Sequence, residues 1–144
     1  MFFAFKLAPR YFVININYVK HFGGMQNLSF NQQVLEPFYA NLETFGDKNA
    51  FYINNTFYTY KELAQCITKI RVALKEHADK VYIGLVANDD LETYASIFAM
   101  WLEGKCYVPL HPHQPLDRLS EIINDTNIDI ILNSLPAPIF ANTR

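Results

Sequence analysis

"VYIGLVANDDLETYASIFAMWLEGKCYVPL", residues 81–110, passes from one hydrophobic pattern to another and back again. Residues 81–87 are an apolar run of strand length without polar alternation, as expected of a strand covered on both faces in a parallel sheet. Asp89, with Glu92 three residues later, opens a helix, because acceptor side chains there satisfy the free amides of a first turn. Leu91, Tyr94, Ala95, Phe98, Trp101 and Leu102 then recur at helical spacing as one wide apolar face, and Gly104 ends the helix. CYVPL, residues 106–110, is the second strand.

Downstream, Pro115 stands where a first helical position is expected, and Leu116, Leu119 and Ile123 continue a helical stripe. IDIIL, residues 128–132, is a third strand. Strand, helix, strand, helix, strand amounts to two consecutive crossover units, which wind into a parallel sheet with covering helices. The fold class is therefore α/β, with a βαβαβ core. Upstream of it, residues 31–46 form a helix with Val34, Phe38, Leu42 and Phe45 on one stripe, Pro37 in the first turn or at a kink, and Gly46 as the stop. AFYINNTFYTY, residues 50–60, makes a hairpin around Asn54-Asn55, since asparagine tolerates the positive φ of a two-residue turn best after glycine. Thr59 and Glu62 make a capping box, Tyr58 staples onto Leu63, and Leu63, Ile67, Ile70 and Leu74 mark the buried face of the helix that follows.

A chain of 144 residues with 51% apolar and 15% aromatic content is one folded domain with enough surface to offset the entropy of ordering. A formal charge of −2 gives no basic footprint for nucleic acid or an anionic membrane, and both are set aside as partners. The apolar run at residues 94–102 is too short for a bilayer. Cys66 and Cys106 form no CxxC pair, which fits a reducing cytoplasm, and Cys66 borders a packed helix face as an inert half-buried thiol. Lys6, Arg10 and Lys20 stand in residues 1–24 without one acidic residue, and FVININY alternates with asparagine rather than forming a signal sequence. Residues 1–24 are expected to be a loosely attached extension, with a strand at YFVININYV as the competing reading. Residues 25–133 form the folded unit, and residues 134–144, with Pro136 and Pro138, an unstructured tail.

Candidate chemistry is sparse. His111 and His113 supply two ligands where zinc needs three or four, so a solvated loop after a strand end accounts for them. Cys106 with His111 has the residue types of a nucleophile and base, but a thiol opening a central strand is expected to serve packing. Asp89 and Asp90 stand at a helix start, where the dipole stabilises acids without catalysis. The aromatic hairpin, flanked by Lys48 and Lys61, is assigned to packing rather than base stacking. None of the five glycines forms GxGxxG or GxxxxGK[ST], and the turn after the first strand has no glycine, which argues against a nucleotide there.

FYTYKELAQCITKIRVALK, residues 57–75, resembles the early hairpin and LTYxEL helix motif of the adenylate-forming (AMP-dependent) synthetases and ligases. Residues 82–132 resemble the next motif, whose core in that family is close to LKAGxAYVPLDPxxPxxR and stands here from Trp101 to Leu110, then His111-Pro112 and Pro115 to Arg118. The YVPL form is most similar to amino-acid adenylation domains of nonribosomal peptide synthetases and to D-alanine carrier-protein ligases. His111 departs from the usual aspartate, and Lys105-Cys106 from a small-residue pair. The resemblance implies the N-terminal portion of the family's large lobe and, for the full-length enzyme, ATP with magnesium, a small carboxylate or amino acid, and a carrier protein. The phosphate loop, adenine segment, ribose aspartate and late lysine lie downstream of the matched region in the family. The expectation is thus a truncated fragment, inactive alone, in which no residue inherits a catalytic, cofactor-binding or metal-ligating role. A flavodoxin-like binding module and a scaffold protein that completes a split ligase are the competing readings.

Overall fold

A computed structural model describes residues 31–135. The extension expected at 1–24 and the tail from 136 onward lie outside the described residues. A π-helical turn, Asn31–Leu35, leads into α1, Glu36–Phe45. The hairpin β1, Asn49–Ile53, and β2, Thr56–Thr59, follows, then α2, Tyr60–Lys75. The remaining elements are β3, Tyr82–Val86; α3, Leu91–Leu102; β4, Cys106–Leu110; α4, Leu116–Thr126; and β5, Ile131–Leu132. The order in the sheet is β4-β3-β5, and β3 runs parallel to both neighbours. This is the βαβαβ arrangement that the residues predict, and it is the α/β fold.

Local chemistry sets the joints. Asn54 and Asn55 sit at φ 49° and 62°, the paired positive values of a type I′ hairpin turn. Thr59 Oγ1 accepts from the Glu62 amide at 3.2 Å while Glu62 Oε2 accepts from the Thr59 amide at 2.8 Å, so the capping box is complete. Gly104 takes φ 66° after α3, a left-handed turn that suits glycine.

Helices α2 and α3 lie over one face of the sheet. Leu63, Ile67 and Leu74 of α2 meet Ala95, Ala99 and Met100 of α3 and Ile83 and Leu85 of β3 in one cluster. Gly84 and Val86 face the other way, as strand alternation requires. There Gly84 lies against Leu110, Ile131 and Ile128, and Leu119 of α4 is fully buried. β3 is thus covered on both faces, and Ile83 through Val86 are all buried.

Several details differ from the sequence expectation. Asp90 rather than Asp89 caps α3, because its carboxylate reaches the Thr93 amide at 2.8 Å. Thr93, Ser96, Ala99 and Met100 are buried, so α3 packs around more of its circumference than one apolar stripe indicates. Pro115 is the residue before α4, with φ −56° and ψ 141°, and the extended ψ excludes it from the helix. Leu116 stays 38% exposed and Phe45 46% exposed, whereas Leu35, at the end of the π turn, is buried. The third strand shortens to two residues. Cys106 is exposed and β4 is an edge of the described sheet, so its thiol does not enter a packed layer.

Candidate functional site

In an open parallel sheet, ligands gather outside the carboxyl ends of the strands, where chain connections leave toward opposite faces. Here that rim comprises residues 87–90 after β3, 111–115 after β4 and 133–135 after β5. Its polar groups are turned on each other. The Asn88 amide donates to Asn133 Oδ1 at 3.2 Å and to Ser134 Oγ at 2.8 Å. The Ser134 hydroxyl donates to the second oxygen of Asp90. Asn54, at the hairpin tip, donates to the Asp89 carbonyl at 2.7 Å and ties the hairpin to the same rim.

Each residue singled out from sequence has a defined place. His111 Nδ1 accepts from the His113 amide at 3.2 Å, and the ring centroids are 5.5 Å apart. That bond makes Nδ1 an acceptor already in use, and both rings are exposed. No group of three or more metal-ligating side chains occurs among the described residues. Cys106 opens β4 and His111 lies just past its end, about 16 Å along an extended strand, so they cannot act as a nucleophile and base. Cys66 is half-buried, and burial pushes its thiol from an ordinary 9.0 up to about 11. It is an unreactive thiol at neutral pH. The hairpin divides its rings: Phe51 stacks on Tyr94 at 5.0 Å, while Tyr52 and Phe57 pair at 4.6 Å on the exposed side, 60% and 61% accessible.

A phosphate held by backbone amides would need a free helix N-terminus or a glycine turn. Asp90 already fills the start of α3 with a carboxylate, and the capping box fills that of α2. α4 has no side-chain cap, and Asp117 in its first turn puts a negative charge beside its free amides. The loop after β3 has no glycine. These residues build no seat for a triphosphate, and no cluster of three metal-ligating side chains for its magnesium occurs among the described residues.

Between α1, α2 and α3, a groove lined by Tyr39, Leu42, Thr68, Arg71 and Leu102 holds about 230 Å³ of open space. That space is mostly open solvent; the enclosed part is about 10 Å³, room for about one water, against the roughly 300 Å³ at which small-ligand pockets start. Arg71 is held by Glu103 at 2.6 Å, and burial raises the Tyr39 phenol above its ordinary value. Sequence reasoning noted Lys105 only as a departure from a small-residue pair and missed its burial, at 6% exposed. Its neighbour Gly104 and its own chemical type conceal this, since lysine is almost never buried alone.

Residues 38–142 match the model of the family described as AMP-binding enzyme. The chain belongs to that family. It is 29% identical over 113 residues to a plipastatin synthase protein of Bacillus subtilis, an alignment that takes in 76% of this chain and 3% of the synthase. It is 42% identical over 66 residues to the ferrichrome siderophore peptide synthetase of Mycosarcoma maydis, 45% of this chain and 2% of that protein. Among solved structures it resembles the Vibrio cholerae adenylation domain AlmE, in complex with glycyl-adenosine-5'-phosphate, with TM-score 0.62 and 21% identity. That superposition covers 76% of this chain and 21% of AlmE. The chain is thus an adenylation domain related to those of nonribosomal peptide synthetases, and its α/β elements match the N-terminal lobe of adenylate-forming ligases. It spans a small part of the length of these relatives. No helix among the described residues is long and apolar enough to cross a membrane.

Proposed function

We propose that residues 38–135 are the structural platform of an ATP-dependent ligase that joins a carboxylate, most simply an amino acid, to AMP with release of pyrophosphate. The activated acyl group then passes to a thiol, such as the phosphopantetheine arm of a carrier protein, in the cytoplasm. ATP and magnesium are gripped by sequence beyond this platform. The observation that carries the proposal is the family match on a sheet where side chains of its own bond the start of α3 and the ends of β3 and β5 to each other. Such a surface serves to hold neighbouring elements in place.

ATP–pyrophosphate exchange across a panel of amino acids tests this. The purified 144-residue chain is expected to stay at background, and robust exchange by it would overturn the division of labour. A chimera of AlmE carrying residues 38–135 in the equivalent place is expected to keep glycine-dependent exchange. A chimera that folds but no longer exchanges would show that these residues are not an interchangeable platform.

A further inference from the structure

Lys105 brings a full charge into the interior at the joint between α3 and β4, and none of the ion pairs among the described residues includes it. Burying an ammonium costs several kcal/mol unless its donors are met. They are met by backbone alone. Lys105 Nζ donates to the carbonyls of Lys80 at 2.7 Å, His77 at 2.8 Å and Ala78 at 3.4 Å. An ammonium has three N–H bonds, and three oxygens converge on it.

All three carbonyls come from the turn after α2. The Lys80 amide donates back to the His77 carbonyl at 3.1 Å, which folds the turn on itself and aims its oxygens inward. The turn also adjoins the helix end where the macrodipole is negative. The Lys80 side chain points away, toward Asp79 and Asp129, so it does not compete for the space. Convergent carbonyls at a negative helix end recognise a compact cation that directs hydrogens at three points.

We propose that the turn at residues 77–80 is a receptor for a primary ammonium group, filled in cis by Lys105, and that it binds a free alkylammonium ion once the tether is cut. Occupancy locks the end of α2 to the start of β4, and so fixes the amino-terminal rim of the sheet.

Lys105→Ala removes three carbons and a nitrogen, the atoms of n-propylammonium. In sodium chloride the variant is expected to melt about 10 °C below the parent chain. n-Propylammonium at equal ionic strength is expected to raise that midpoint saturably, while tetramethylammonium, which has no N–H, leaves it unchanged. Equal effects of the two ions would overturn the proposal. So would a Lys105→Met variant, which keeps the apolar stem without donors, melting with the parent. If Lys105→Ala does not fold, NMR of the lysine NH3+ groups in the unaltered chain decides. One signal is expected to exchange at least about tenfold more slowly than the others, and uniformly fast exchange would sink the idea.

Discussion

Thr59 and Glu62 illustrate how much a single pair fixes. The Thr59 amide and hydroxyl both donate to Glu62 Oε2, which holds the Glu62 carboxyl below the usual carboxylate range. Thr59→Ala is expected to cost about 1 kcal/mol, read as a lower urea midpoint. Because the Glu62 pKa is depressed on folding, its contribution is present above the ordinary value of 4.5 and fades as pH falls through the lowered one. The difference between Thr59→Ala and the parent should therefore shrink in acid. Cys66 behaves oppositely. Its folded pKa is raised, so stability is unaffected at neutral pH and falls as pH rises from 9.0 toward about 11, where only the unfolded thiol ionises. Iodoacetamide at pH 8 is expected to label exposed Cys106 well ahead of Cys66, as peptide mass spectrometry can show. Both the cap and the inert thiol are legible in the sequence, since a cap is a local spacing and Cys66 borders a helical stripe. The exposure of Cys106 is not, because it depends on which strand is the edge.

At the scale of elements, β3 is the axis of the sheet. A Cβ on Gly84 would come within 2.9 Å of Leu110 and 3.0 Å of Ile131, side chains from both flanking strands. Gly84→Ala is expected to destabilise by about 1–2 kcal/mol, measured by chemical denaturation, since those side-chain tips can shift only partly. Met100, fully buried beneath α2, lies outside the apolar stripe that periodicity marks on α3. Met100→Ala should cost about 2–5 kcal/mol. Helical periodicity shows that one face must be buried. It does not report that a second helix closes over the flank, so Thr93, Ser96 and Met100 join the core through tertiary contact.

For the whole molecule, the two crossovers leave part of one sheet face uncovered among the described residues. Tyr82 is 54% exposed and pairs across the strands with exposed Cys106 on that face, and Val81, just ahead of β3, is 54% exposed as well. Apolar side chains on an open sheet invite association. Tyr82→Lys is expected to lower concentration-dependent light scattering while leaving the thermal midpoint close to that of the parent. A variant that scatters as before would show that this face does not drive association.

The order of strands and helices, the capping box of α2 and the hairpin turn were determined by the sequence alone, because each follows from periodicities and hydrogen bonds spanning only a few residues. The absence of a glycine turn for phosphate was equally local. Only the tertiary structure decided that β4 is an edge of the described sheet that leaves Cys106 exposed, and that a lysine is buried among three carbonyls. Those outcomes depend on groups up to 28 residues apart meeting in space, as Lys105 meets His77. No pattern within one element carries that distance.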